Sequence, residues 1–223
     1  MDLTTRMWIQ EATLRTPESP HLVVIADIGS EAAYHVGDEA MLDANLTRLR
    51  RRIAGIQFTL ISADPAYSSA LYHANAAAPI GFADSDDPNG MDNNALLKAA
   101  VDLARRRATG TALTQADSSV GGIVNLIDGS DGVLISGGGN LSSTWPHHLY
   151  ERAAAIQIAY ALGKPVAITG QTIGPNLSDA HRQILGEALS LVSLLAVREL
   201  DSYQLALTLG VPPDRLEYHV DDA

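Results

Sequence analysis

Cysteine is absent from this 223-residue chain, which removes both a disulfide framework and any thiolate zinc site from consideration. Basic side chains are scarce: 15 Lys and Arg stand against 26 Asp and Glu, a net charge of −11. That balance argues against a nucleic-acid partner, whose phosphates attract basic faces, but leaves room for a small anion in a locally positive pocket. No apolar run approaches the ~20 residues that span a bilayer. The stretch from Met1 to Pro20 is charged throughout and lacks the apolar segment of a signal peptide. The expected location is the cytoplasm. Three chemical signatures are also missing. No G-x-G-x-x-G follows the first strand, no phosphate-loop lysine follows Gly139, and no G-x-S-x-G nucleophile elbow is present.

What the chain does have is core-forming material, with 46% hydrophobic and 18% charged residues, enough for one large domain. Weak patterning up to Pro20 predicts an N-terminal arm (1–20), and 21–223 reads as a single domain. Strands are predicted at Leu22–Ala26, Ile56–Ser62, Ala78–Phe82, Val133–Ser136, Val166–Thr169, Leu194–Val197 and Leu216–Val220. Helices are predicted at Asp38–Ile53, Leu96–Arg107, Ser118–Ile127, His147–Leu162, Ser178–Leu191 and Ser202–Leu209. Strands alternating with helices imply a parallel sheet covered on both faces, an α/β fold of Rossmann-like type.

Apolar strands end in polar or glycine-bearing loops in three places: Leu22–Asp27 leading to Gly37-Asp38-Glu39, Val133–Ser136 leading to Gly137-Gly138-Gly139-Asn140, and Val166–Thr169 leading to Gly170-Gln171-Thr172-Ile173-Gly174-Pro175. Junctions of one kind at strand C-termini imply one ligand-binding edge, since glycine lets backbone N–H groups approach an anion closely. The same glycines also suit tight turns and close packing. Arg198, directly after the apolar strand Leu194–Val197, is the best-placed cation, although Glu199 and Asp201 offer it salt bridges.

In order and spacing these pieces, together with Val197-Arg198-Glu199-Leu200-Asp201-Ser202 and Val220-Asp221-Asp222-Ala223, resemble the polysaccharide pyruvyl transferase family. The likeness extends from about Leu22 to the end. It implies the N-terminal half of a two-domain GT-B-type enzyme, with its C-terminal partner domain outside this sequence. It also implies transfer of a pyruvyl group from phosphoenolpyruvate to a sugar of a cell-surface polysaccharide or its precursor, without a cofactor. The sequence departs from the family pattern in three places. His35 stands in the place of an Asn, Thr172 where glycine is frequent, and Asp222 where proline is frequent. These departures bear on substrate identity and keep a second reading open, a non-catalytic sugar- or nucleotide-binding domain of the same fold.

A donor carrying a phosphate and a carboxylate needs cations and N–H donors. Gly37, Gly137, Gly138, Gly139, Asn140, Gly170, Gln171, Gly174 and Arg198 are the substrate-binding candidates. Asp38, Glu39 and His35 are the catalytic candidates, because adding a hydroxyl across an enol ether moves protons. Each has an alternative role. A carboxylate in a first helical turn compensates the helix dipole, and His35, like His147 and His148, can serve as a capping or solvent-facing side chain. The loop Asp84–Asn94 offers Ser85, Asp87, Asn89 and Gly90 in partial calcium-loop register, but Leu96 stands where a bidentate Glu is required, so no metal is expected. Arg48–Arg52 and Arg105–Arg107 read as solvated helix ends. Self-association is left open.

Overall fold

A computed structural model describes residues 19–30, 35–84, 92–111 and 118–219, and all structural statements below concern these. Eight strands form one sheet in which every pairing is parallel: β1 (His21–Ile25), β2 (Gln57–Ile61), β3 (Asn75–Ala77), β4 (Gly132–Ile135), β5 (Gly138–Leu141), β6 (Val166–Ile173), β7 (Leu194–Val197) and β8 (Leu216–Tyr218). Their order is β3-β2-β1-β4-β6-β7-β8, with β5 paired to the far end of β6. Seven helices connect them: α1 (Val36–Arg52), α2 (Pro65–Tyr72), α3 (Asn93–Ala108), α4 (Ser118–Asp128), α5 (Pro146–Ala161), α6 (Asp179–Leu189) and α7 (Leu200–Thr208).

Burial on both faces explains why the central strands are near-continuous apolar runs. Successive side chains of β1 serve opposite layers. Val23 and Ile25 join Val133, Ile135 and Ile168 beneath α3, α4, α5 and α6. Leu22 and Val24 join Leu134, Ala167 and the Leu42, Leu46 and Leu49 stripe of α1. Each such fully buried Leu or Ile contributes about 1.5–3 kcal/mol. α5 is buried on nearly every side, since Leu149, Ala153, Ala154, Ala155, Ile156, Ile158 and Ala159 are all inside. Its alanines let it sit close to the sheet while α3 and α6 pack on its flanks.

Several expected elements are displaced. Ala78–Phe82 is not a strand: it runs as coil and buries Ile80 and Phe82 in the core. The third strand is Asn75–Ala77 instead, paired with β2, and it follows a helix that the sequence pattern had not indicated. That helix, α2, starts where the Asp64 side chain accepts the Tyr67 N–H and Pro65 takes the first helical position. The glycine run after β4 is not a loop, because Gly138–Leu141 forms β5. β6 is therefore eight residues long, carrying β5 beside its second half. Ser178 caps α6, its hydroxyl accepting the His181 N–H at 3.2 Å. Most of the N-terminal arm, the partial calcium-loop residues and Val220–Ala223 lie outside the described residues. No helix among the described residues is long and apolar enough to cross a membrane.

Gly137 fixes the junction of β4 and β5. A Cβ placed there would lie 2.5 Å from the Gly170 carbonyl oxygen and 2.8 Å from that of Thr169, so the two backbones meet where only glycine fits. The nearest atom to a Cβ on Gly139 is Arg198 Nη2 at 3.9 Å, an ordinary contact. Gly137→Ala is expected to lower unfolding free energy by about 1–3 kcal/mol, as overpacking against rigid backbone does. Gly139→Ala should stay within about 0.5 kcal/mol of wild type. Urea denaturation of both variants checks the contrast.

Candidate functional site

The strand order reverses direction between β1 and β4, and ligands of open α/β sheets bind outside the strand C-termini at such a switch point. The three junctions singled out in the sequence converge there. Asp27 follows β1, Ser136 and Gly137 follow β4, Gly170 and Gln171 lie within β6 beside β5, and Arg198 follows β7. The N-terminus of α1 opens onto the same rim. Below it, Asn45 donates to Ser136 Oγ at 3.1 Å and Thr169 Oγ1 at 3.0 Å, so α1 is stitched to the ends of β4 and β6.

Asp38 and Glu39 have different surroundings. Glu39 is wholly buried. Its Oε1 accepts the N–H groups of Gly29 at 3.2 Å and His35 at 2.9 Å, and its Oε2 accepts the Tyr72 hydroxyl at 2.7 Å. It braces the loop onto α1 and α2, and both of its oxygens are engaged by these donors. Asp38 instead faces the rim, with Oδ1 3.0 Å from where a Gly138 Cβ would lie. Burial raises its pKa and Asp27 raises it further, against the opposing pull of Arg152, Arg198 and His35. A carboxyl so placed holds its proton more tightly than an exposed one.

The glycines likewise take separate roles. Nothing lies within 4 Å of a Cβ position on Gly37, so the backbone there is open to approach. Gly137 meets a packing requirement of the sheet. Gly138 runs beneath Asp38 and the Asn140 side chain, and Gly139 faces Arg198. Gly170 and Gly174 have φ of 52° and 74°, and a Cβ on Gly174 would meet Leu205 at 3.1 Å, so both meet demands of the chain itself. Gln171 Nε2 donates to the Gly138 carbonyl at 2.6 Å and the Thr172 carbonyl at 2.9 Å, which clamps β5. The buried amide atoms of Asn140 and the Oε1 of Gln171 have no hydrogen-bond partner among the described residues.

Arg198 lies along this rim. Its Nε donates to Thr172 Oγ1 at 2.8 Å and contacts Glu199 Oε1 at 3.3 Å, and Nη1 approaches Met41 Sδ at 3.6 Å. Thr172 donates to the same Glu199 oxygen at 2.6 Å, while Ser202 donates to Oε2 at 2.9 Å. The salt bridge that the sequence allowed therefore forms at the Nε side, and the Nη side points toward Gly139.

A second cluster was not foreseen as a whole. Asp27 Oδ1 lies 3.0 Å from His35 Nδ1, and Asp27 Oδ2 lies 3.5 Å from His148 Nε2. His148 packs against His147 with ring centroids 3.9 Å apart and ring planes tilted by 38°, and His147 Nδ1 meets Asp84 at 2.6 Å. Behind them Arg152, 1% exposed, donates from Nη1 to His148 Nδ1 at 3.1 Å and to the His148 carbonyl at 3.2 Å. Its Nε and Nη2 have no hydrogen-bond partner among the described residues. Burial lowers its pKa to about 10, with Asp27, Glu151 and Asp38 opposing. One signal did exist in the sequence: Glu151-Arg152 interrupts an otherwise apolar helix, and a charge inside a core helix requires a partner. Among the described residues no group of three or more His, Asp or Glu is arranged to hold a metal ion.

Compared with known proteins, the chain matches the family described as polysaccharide pyruvyl transferase over residues 35–219. No curated protein matches it. Among solved structures, the putative UDP-N-acetylglucosamine 2-epimerase of Listeria monocytogenes superposes with a TM-score of 0.48 at 11% identity, over 89% of this chain and 44% of that one. The UDP-N-acetylglucosamine 2-epimerase of Rickettsia bellii gives 0.48 at 7% identity, over 92% and 46%. A lipopolysaccharide outer core galactosyltransferase gives 0.46 at 9% identity, over 88% and 44%. This chain thus spans under half the length of each, and likeness at this level carries no functional weight.

Two outcomes follow from the geometry. Glu39→Gln replaces an oxygen that accepts at least one buried donor, and is expected to cost about 1–3 kcal/mol of stability by chemical denaturation. His148 is held at about 3, below its ordinary 6.5, by burial first and then by Arg152, with Asp27 opposing. Between those values the unfolded chain carries a proton that the folded chain does not, so this contribution to stability is complete above 6.5 and lost as pH falls toward 3. The Tm advantage of wild type over His148→Gln should therefore shrink on acidification from about pH 7 to about pH 5. A difference that stays constant would show that His148 does not titrate in this way.

Proposed function

The chain belongs to the polysaccharide pyruvyl transferase family, and on that premise we propose that it serves pyruvyl transfer from phosphoenolpyruvate to a sugar of a cell-surface polysaccharide or its precursor. The observation that carries this reading is the convergence of Arg198, the open α1 N-terminus at Gly37, and Asp38 on one rim. Phosphoenolpyruvate is a small polyanion. The Nη side of Arg198, the first-turn N–H groups of α1 and the Asn140 amide supply donors to its phosphate and carboxylate.

Chemically, a sugar hydroxyl bonds to C2 of the enol phosphate while the π pair takes a proton at the methylene carbon. Phosphate then leaves, and a second hydroxyl closes the ketal. Of the two hydroxyl protons, one ends in the new methyl group and the other departs with phosphate. Asp38, whose carboxyl is biased toward its protonated form, is the donor to the methylene. His35 is the group that takes the proton from the hydroxyl. In this reading residues 21–223 form one Rossmann-like wall of a GT-B-type cleft, residues 1–20 an arm, and a facing half closes over the rim. The chain by itself is then little active. It acts in the cytoplasm, without cofactor or nucleic acid, and an assembly of several copies is compatible with the same site.

A second reading, a non-catalytic sugar- or nucleotide-binding domain, is favoured by the hold of Thr172 and Glu199 on Arg198 Nε. Calorimetric titration with phosphoenolpyruvate separates the two. Binding is expected, and Arg198→Ala should weaken it about 10-fold or more, as loss of a charged hydrogen bond does. Unaltered affinity would remove Arg198 from the site. A thermal shift with nucleotide sugar but none with phosphoenolpyruvate would favour the binding domain.

A further inference from the structure

Arg152 is charged, fully buried and carried on the most enclosed helix of the fold, yet it contacts no ligand-facing position directly. Its consequence is read through what it touches. A guanidinium has only donors, so the 3.1 Å contact from Nη1 forces His148 Nδ1 to be the acceptor. A neutral His148 must then carry its hydrogen on Nε2, the ring nitrogen that lies 3.5 Å from Asp27 Oδ2, an electrostatic contact longer than a hydrogen bond. Asp27, an acceptor only, takes an N–H from His35 Nδ1 at 3.0 Å. His35 sits at the N-cap position of α1, makes no capping bond with its side chain and is 44% exposed there, so its other ring nitrogen is the one left for exchange with a substrate.

We propose that Arg152, His148 and Asp27 form a positioning relay that fixes His35 in its Nδ1–H tautomer and makes His35 Nε2 the proton-accepting atom of the site. Its place in the reaction rests on the reading above; the tautomers themselves do not. As the hydroxyl oxygen bonds to C2, its O–H pair stays with oxygen and the proton passes to the His35 Nε2 lone pair, giving an imidazolium held against the Asp27 carboxylate. The charged and titratable groups that face this relay are Asp27 from the end of β1, Asp38 from α1, His147, Glu151 and Arg152 from α5, Asp84 against His147, and, through Asp38, Arg198 after β7. Carboxylates and guanidiniums therefore both surround it, and the neutral imidazole of His148 passes orientation, not charge, from Arg152 to Asp27. Burial and Arg152 keep that imidazole neutral well below physiological pH.

Ring-nitrogen NMR of the whole chain at about pH 8, where imidazole is neutral, tests this without substrate. His148 is expected to show an unprotonated Nδ1 and a protonated Nε2, and to keep that signature at about pH 5. His35 should show the reverse pattern, protonated at Nδ1. Asp27→Asn should return His35 to the Nε2–H form that neutral imidazole prefers in water. Arg152→Met removes the donor to His148 Nδ1, so His148 should no longer be confined to the Nε2–H tautomer at about pH 8; if that variant does not fold, the wild-type and Asp27→Asn spectra decide. Observation of His35 as Nε2–H in the wild type, or of a cationic His148 at pH 5, would overturn the relay. Correct tautomers in a protein that never releases phosphate from phosphoenolpyruvate would leave the relay standing and sink only the assigned reaction.

Discussion

Everything on the rim takes its position from one backbone contact, the approach of Gly137 to the carbonyls of Thr169 and Gly170. With no side chain between them, β4 hands over to β5 without leaving the neighbourhood of β6, and β6 extends past the length of its neighbours. That extension carries Gln171 and Thr172 outward, where one clamps the Gly138 carbonyl and the other receives Arg198. A larger residue at 137 would separate these strands and move the arginine relative to Asp38. The chemistry of the site is thus tied to sheet packing, not to the freedom of a glycine loop.

A second constraint is electrostatic. Burying a guanidinium costs several kcal/mol unless charges and hydrogen bonds compensate it. Arg152 has partial compensation from Asp27, Glu151 and Asp38 and from the His148 ring and carbonyl. Such an arrangement contributes little to stability compared with a well-packed apolar residue of similar volume. Its presence in α5, among alanines and isoleucines, is better accounted for by what it holds in place.

Much of the architecture was legible in the sequence because the central strands are apolar on both faces. β1, β4 and β7 stand out as unbroken runs between turn residues, and α5 as a helix stopped by Gly163. The convergence of Gly37, Gly139, Gly170 and Arg198 on one edge also follows from strand alternation. What was illegible has physical reasons. β5 is nearly all glycine and asparagine, residues of low strand propensity, and is recruited to the sheet by its neighbour and not by its own pattern. β3 is too short to show a period, and the run Ala78–Phe82 resembles a strand because coil that covers a core is also apolar. The separate roles of Asp38 and Glu39 depend on Tyr72, 33 positions away. The Arg152 relay joins the end of β1, α1 and α5, and no local spacing records that meeting.

The two strands that terminate the described sheet, β3 and β8, are three residues each. So short an edge offers few open backbone groups to a neighbouring strand, which disfavours lateral growth of the sheet from molecule to molecule. Copies that associate are therefore expected to meet through helices or the ligand rim, leaving the margins of the sheet uninvolved.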